Sequence, residues 1–219
     1  MARLVIFGAG DIARLAHYYF TRDSGHEVVA FAVDREYRTV DSLAGLPVLD
    51  VDEACRRFPP GECQAFVALS YARMNRIRAE KFQQMKDRGY VLASYVSSRS
   101  SWLTDCPVAE NCFVLEDNTV QPFTAIGANV TLWSGNHIGH DSTIEDHCFI
   151  TSHVVVSGNV RVGAYSFIGV NATLRNSIVI APHTLIGAGA VIMKDTVAKG
   201  VYLSKPAVLI TKNSDEVDL

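Results

Sequence analysis

The segment GNHIGHDSTIEDHCFITSH, residues 135–153, carries His137, His140, His147 and His153, four of the seven histidines in the chain. Imidazole titrates near neutrality, so it serves both as a general base and as a zinc ligand. Which role these residues can fill depends on where the backbone carries each side chain. That is set by the pattern around them.

From Val108 onward the pattern has a period of six. An aliphatic residue recurs at Val108, Val114, Val120, Ile126, Leu132, Ile138, Ile144, Ile150, Val156, Val162, Ile168, Leu174, Ile180, Ile186 and Ile192 without a slip. Four positions after each stands mostly a small or β-branched residue, from Cys112 and Asn118 through to Thr196. This is the hexapeptide repeat of a parallel β-helix, in which three short strands close one triangular coil around the aliphatic and small side chains. Fifteen hexads predict five coils, stacked at ~4.8 Å into a prism about 24 Å tall. Cys112 and Cys148 fall in the interior column and read as core.

The same period separates the histidines. His140, His147 and His153 belong to three successive hexads and so to three different sides of the prism, with His137 near the corner leading to His140. A zinc ion needs three or four ligands at ~2.1 Å from one point, and a single copy cannot supply them from this segment. His147 and His183 lie two coils apart in one column, about 9–10 Å by the same spacing. γ-Class carbonic anhydrases, which share this repeat, build zinc sites between subunits from histidines so spaced. They add a third histidine five residues after the second, and that position is Ala188 here.

Residues 1–101 follow a different grammar. RLVIFG (3–8), EVVAFAVD (27–34), QAFVALS (64–70) and YVLASYV (90–96) read as strands, alternating with helices after Gly10, over 52–58 and over 74–87. Near-continuous apolar strands alternating with helices predict a small parallel sheet. The fold class expected is α/β plus β-solenoid: a half-Rossmann-like α/β domain (1–101), a left-handed parallel β-helix (102–196) and a C-terminal tail (197–219). Gly8-Ala9-Gly10-Asp11-Ile12-Ala13 follows the first strand and opens a helix, the context of a G-x-G-x-x-A phosphate-approaching turn. Asp34 ends the second strand, where an acidic residue can bind ribose hydroxyls or a base.

Composition narrows the partners. With 48% hydrophobic and 20% charged residues the chain reads as an ordinary soluble globular protein, and a net charge of −3 argues against a basic nucleic-acid-binding surface. No apolar run approaches a membrane span, and MARLVIF meets Gly8 and Asp11 too soon for a signal peptide. Five cysteines without C-x-x-C spacing fit a reduced, cytoplasmic protein.

The GAG turn, the α/β front domain, the GHD tripeptide at 139–141, SGNVRVG at 157–163 and KPA at 205–207 together resemble the sialic-acid O-acetyltransferase-like family of hexapeptide-repeat sugar acyltransferases. The resemblance runs over essentially the whole chain. It implies a homotrimer that moves an acetyl group from acetyl-CoA to the amino group of a nucleotide-linked amino-deoxy sugar for surface glycan synthesis, with no metal. On the matching positions it implies His140 as general base and Asp141 as its acidic neighbour. Acetyl-CoA would lie along Phe149, Ser157, Gly158, Val170, Gly187, Ala188, Lys205 and Pro206. The nucleotide sugar would be held by Gly8, Gly10, Asp11, Asp34, Arg35, Ser70, Tyr71 and Asn136. Two positions depart from the family: the second histidine found nine residues after the first is Phe149 here, the nearest histidine being His153, and the Gly-His that often follows the glycine turn is Asp11-Ile12. Trp133 is expected beside the site, stacking on the acceptor or packing at an interface. The competing readings are sugar O-acetylation, a γ-carbonic-anhydrase-like zinc enzyme and a non-catalytic trimeric scaffold.

Overall fold

The computed structural model describes residues 2–209, 211 and 215. The front of the chain forms β1 (Ala2–Phe7), α1 (Asp11–Arg22), β2 (His26–Val33), β3 (Ser42–Leu43), β4 (Leu46–Asp50), α2 (Val51–Arg57), β5 (Cys63–Val67) and α3 (Arg76–Asp87). Their sheet has the order β3-β4-β2-β1-β5 and is parallel except for the β3–β4 hairpin. Both faces are covered, so the central strands are buried at nearly every position, Leu4 to Phe7 and Ala30 to Val33 among them. Asp50 starts α2 by accepting the Glu53 N–H at 2.8 Å, which satisfies a donor the first helical turn leaves open.

Two elements differ from the sequence reading. Residues 42–50, outside the strands read from the sequence, form a hairpin whose turn residues Ala44 and Gly45 both have positive φ, as tight hairpin turns require. Pro47 has no N–H to give, and the pairing of β4 with β2 begins just after it, at Val48. YVLASYV was expected to complete the sheet. Instead Leu92 makes one isolated bridge to Ala65, and Tyr95–Val96 pairs with Phe113–Val114 as the opening strand of the coil. The apolar run 90–96 thus crosses from one core to the next.

The coil has three faces. The first runs from Tyr95–Val96 through Thr131–Leu132 to Val201–Tyr202. The second runs from Ser101–Trp102 through His137–Ile138 to Val191–Ile192, and the third from Ala125–Ile126 through Thr143–Ile144 to Val179–Ile180. The coil ladder therefore reaches beyond 102–196 at both ends. All of the period-six aliphatics from Val114 to Ile192 are buried, as is every residue of the small column from Cys112 to Thr196. Val108 is 36% exposed and lies outside the core, because no coil strand forms at that hexad. Each buried aliphatic contributes about 1.5–3 kcal/mol.

The corners obey the same period. The third residue after each interior aliphatic has positive φ at every step from Asp117 to Gly189. Asn, Asp and Gly fill most of these left-handed positions, as their sterics favour. His147, His153 and His183 are three such corner residues.

The front domain docks on the first face. Phe113 and Tyr95 project outward from it onto Phe66, Phe20 and Tyr19, and Tyr19 donates its hydroxyl proton to Glu116 at 2.7 Å. Beside this apolar seam α3 inserts Arg78, the one buried charged side chain among the described residues. Its guanidinium donates to Asn129 O and Oδ1, Asn75 Oδ1 and the carbonyls of His147 and Cys148. Burial lowers its pKa to about 10, so it stays charged at neutral pH.

Because several buried acceptors lose their donor at once, Arg78→Ala should destabilise the protein by about 3 kcal/mol in urea unfolding. A loss below about 0.5 kcal/mol would mean that the apolar seam alone holds the two parts together.

Candidate active site

His140 and Asp141 occupy the corner between the second and third faces, since Ile138 lies on the former and Thr143–Ile144 on the latter. The corner is fixed from below: Gln121 Oε1 accepts the His140 N–H at 2.9 Å, and Pro122 O accepts the Asp141 N–H at 3.2 Å. His140 Nδ1 lies 2.7 Å from Asp141 Oδ2. With the shared proton on Nδ1, Nε2 keeps a free lone pair. Both side chains are about half exposed, so the pair is open to a ligand. Above it the imidazole rests on Gly158, where a Cβ would fall 2.6 Å from Nε2. The Ser157 N–H is spent on Leu174 O at 3.1 Å, while the Gly158 N–H takes no part in the coil ladder.

Asn136 does not join this site. It is 1% exposed, one of the interior small-column residues, and its side chain bonds to Trp133 O and to the Val154 N–H. Its polarity serves the coil, so the expected contact with a nucleotide sugar is withdrawn. Trp133 is also remote from His140: it leaves the first face and packs on the front-domain core and Phe149.

The residues expected along acetyl-CoA divide into three groups. Ser157 and Gly158 adjoin His140. Val170, Gly187 and Ala188 line the upper corner between the first and second faces, where Ala188 O accepts the Ser204 hydroxyl at 2.6 Å and Leu203 covers Gly187. Lys205 and Pro206 follow this corner, exposed. Phe149 belongs to neither set. At 1% exposure it is enclosed by Tyr71, Phe167, Trp133 and the Arg78 guanidinium, so it packs the domain junction and cannot meet a coenzyme.

A cleft of about 620 Å³ opens at the carboxyl edge of the front sheet, lined by Gly8, Gly10, Asp34, Tyr37, Arg73 and Lys81 among others. β1 there lies between β2 and β5, the point where strand order reverses and ligands of such sheets bind. Gly8 has φ +125°, and a Cβ would stand 2.6 Å from Ala68 O, so the fold itself demands glycine. Gly10 faces open space, so its missing side chain keeps the cleft mouth clear. Asp34 already pairs with Lys81 at 2.7 Å.

Four expected front-domain residues lie off this lining. Arg35 turns toward Asp50 and Arg56, and Asp11 is exposed beside Arg14. Tyr71, next to Ser70, packs edge-on against Phe149 and at a tilt against Phe167. Lys81 and Arg73 were missed, because only the fold brings α3 and the turn before it over the sheet edge. Gln121 was also missed, although the register puts it one coil below Gly139.

The four histidines of the opening segment occupy three corners and one strand. His153 rests over Gly135, and Tyr165 meets the tilted ring of His147 on one side and stacks on His183 on the other, with ring centroids 4.7 Å apart in each pair. His147 is held below the usual imidazole range by burial and then by Arg78; His183 is lowered by burial and then by Arg76 and Lys199. Among the described residues no three His, Cys, Asp or Glu side chains converge on a common point. No helix among them is long and apolar enough to cross a membrane.

Residues 123–158 match the bacterial transferase hexapeptide (six repeats) family. Among curated proteins, the acyl-[acyl-carrier-protein]–UDP-N-acetylglucosamine O-acyltransferases of Stutzerimonas stutzeri and Pseudomonas putida are 31% and 30% identical over 84 residues, 38% of this chain and 33% of theirs. The match thus spans about a third of the length of those relatives. Three solved structures follow nearly the whole chain. A mutant of perosamine N-acetyltransferase from Caulobacter crescentus, in complex with CoA and GDP-perosamine, is 22% identical with a TM-score of 0.83, covering 97% of this chain and 98% of that one. The acetyltransferase domain of PglB from Neisseria gonorrhoeae, in complex with acetyl coenzyme A, is 25% identical with a TM-score of 0.77, covering 95% and 98%. WeeI from Acinetobacter baumannii is 18% identical with a TM-score of 0.80, covering 96% and 100%.

Since a methyl group at position 158 would collide with Nε2, Gly158→Ala should swing the His140 ring away from Asp141. The His140 ring signals in NMR spectra of the variant should move, while its melting temperature stays within a few degrees of wild type. Unmoved ring signals would show that the ring does not depend on this glycine.

Proposed function

We propose that this chain, a hexapeptide-repeat protein with a left-handed β-helix, transfers an acetyl group from acetyl-CoA to the amino group of a nucleotide-linked amino-deoxy sugar. The observation that carries the reading is the half-exposed His140–Asp141 pair on the coil, with the Nε2 lone pair free beneath Gly158. The likeness of the entire chain to proteins solved with CoA, acetyl coenzyme A and GDP-perosamine supports the two substrates.

In this reading Nε2 takes a proton from the acceptor amine as its nitrogen attacks the thioester carbonyl. The new C–N bond forms, and the carbonyl oxygen becomes an oxyanion that the free Gly158 N–H is available to meet. Collapse of this intermediate breaks the C–S bond, and the imidazolium returns its proton to the departing thiolate. Asp141 keeps Nδ1 protonated and stabilises the transient imidazolium. The acceptor would occupy the front cleft, with its phosphates near the Gly8–Gly10 turn and the α1 N-terminus, and with Lys81 and Arg73 as nearby cations.

Geometry supports a reaction between copies. The front domain covers the first face, and the His140 corner is the one opposite that face. Ser157 and Gly158 lie on one corner and Val170 and Ala188 on another, with the second face between them. A homotrimer resolves both separations: the cleft and upper corner of one copy would face the His140 corner of its neighbour.

The test is thiol release from acetyl-CoA with a panel of nucleotide-linked amino-deoxy sugars, GDP-perosamine among them. At least one acceptor should turn over, and His140→Asn should lower kcat by roughly 10²–10⁴ while leaving the acetyl-CoA KM within a few-fold. Normal rates in the variant at saturation would remove His140 as base. Absence of thiol release with every acceptor would remove acetyl transfer itself.

A further inference from the structure

Phe123 differs from every other phenylalanine of the chain. It is 74% exposed, whereas the other nine are buried or half-buried. It also holds the left-handed conformation, at φ 64°, a state uncommon for a bulky aromatic residue. The other aromatic non-histidine corner residue, Tyr165, is enclosed between the rings of His147 and His183. Phe123 makes no ring contact among the described residues. Its own corner column continues as Asp141, Asn159 and Ser177, short polar types suited to that backbone. Neither packing within the chain nor contact with water accounts for a phenyl group here.

Its position is tied to the candidate base. Gln121-Pro122-Phe123 runs one coil below Gly139-His140-Asp141, and three hydrogen bonds lock the two segments: Gln121 N–H to Ile138 O at 3.0 Å, His140 N–H to Gln121 Oε1 at 2.9 Å and Asp141 N–H to Pro122 O at 3.2 Å. Phe123 therefore stands ~4.8 Å below Asp141 along the prism. The acyl donor, on the proposed path, approaches from above through Gly158 and Gly187. Front-domain contacts on the first face span the levels both below and above His140, from Tyr95 and Phe113 up to Phe149 and Phe167. Phe123 thus lies on the side of the His140–Asp141 pair away from Gly158 and the proposed donor path, the side that path leaves to an acceptor.

We propose that Phe123 selects the acceptor, its ring forming an apolar floor for the C–H face and the methyl group of a 6-deoxy sugar whose amine is presented to His140 Nε2. This rests on the acetyl-transfer reading. The methyl group of a deoxy sugar gains from an apolar surface, and a hydroxymethyl in its place must give up water to sit there.

The experiment uses the full chain with Phe123→Ala and Phe123→Leu, the best acceptor of the panel, and a second acceptor that differs only in carrying hydroxymethyl for methyl at C5. For Phe123→Ala the acceptor KM should rise about tenfold, and the preference for methyl over hydroxymethyl in kcat/KM should fall about tenfold. The acetyl-CoA KM should stay within twofold, sedimentation should show the wild-type assembly, and Phe123→Leu should retain part of the preference. An unchanged acceptor KM and preference would overturn the role of Phe123 while leaving acetyl transfer standing. So would dissociation of the assembly, which would assign the ring to packing between copies. If wild-type protein releases no thiol with any acceptor, both proposals fall.

Discussion

The narrow interior of the coil is the constraint on which the rest depends. Each side of the triangle admits one aliphatic side chain and one small one, and successive coils pair backbone to backbone through bonds such as His137 N–H to Val154 O at 3.0 Å. Every outward residue is therefore placed by arithmetic. The catalytic candidates inherit precision from this rather than from local contacts: His140 is where it is because Ile138 is inside, and Asp141 adopts its left-handed backbone because the coil must turn there. A site built on such a lattice is rigid before any ligand arrives, as electrostatic catalysis by fixed groups requires.

Polar atoms inside the coil follow the same logic. Asn118, Asn136, Ser142 and Thr184 are fully or nearly fully buried, and each satisfies itself on backbone groups of its own or the next coil. They close corners where regular strand pairing lapses, which meets the need to bond every buried donor and acceptor. Arg78 applies the same principle between domains. It answers carbonyls at the corner of two successive coils, Asn129 below and His147 above, and through α3 it fixes the angle at which the front domain meets the prism.

The coil was legible in the sequence because its period is strict, and from the period followed the buried columns and the dispersal of the histidines. The GHD corner was legible through the same register. The front cleft was legible only at Gly8, Gly10 and Asp34, which follow from strand-turn-helix order. Lys81 and Arg73 reach the cleft through the packing of α3, a tertiary fact with no periodic signal. Asn136 and Phe149 were misassigned for opposite reasons. Asn136 looked polar and therefore available, although its column is interior; Phe149 points outward, but onto a face the front domain covers. YVLASYV was a sound apolar run with the wrong partner, since nothing in its composition says which of two adjoining cores it serves.

The stacking of corners also limits how such a chain can change. A one-residue insertion within the coils would turn every later interior position outward, so length can vary only by whole hexads, and a corner keeps its face only when an entire turn is added. Any change in the separation between the His140 corner and the front domain would then come in steps of about one strand spacing. The prism works as a graduated rule, and its divisions set the heights at which an outward side chain can stand.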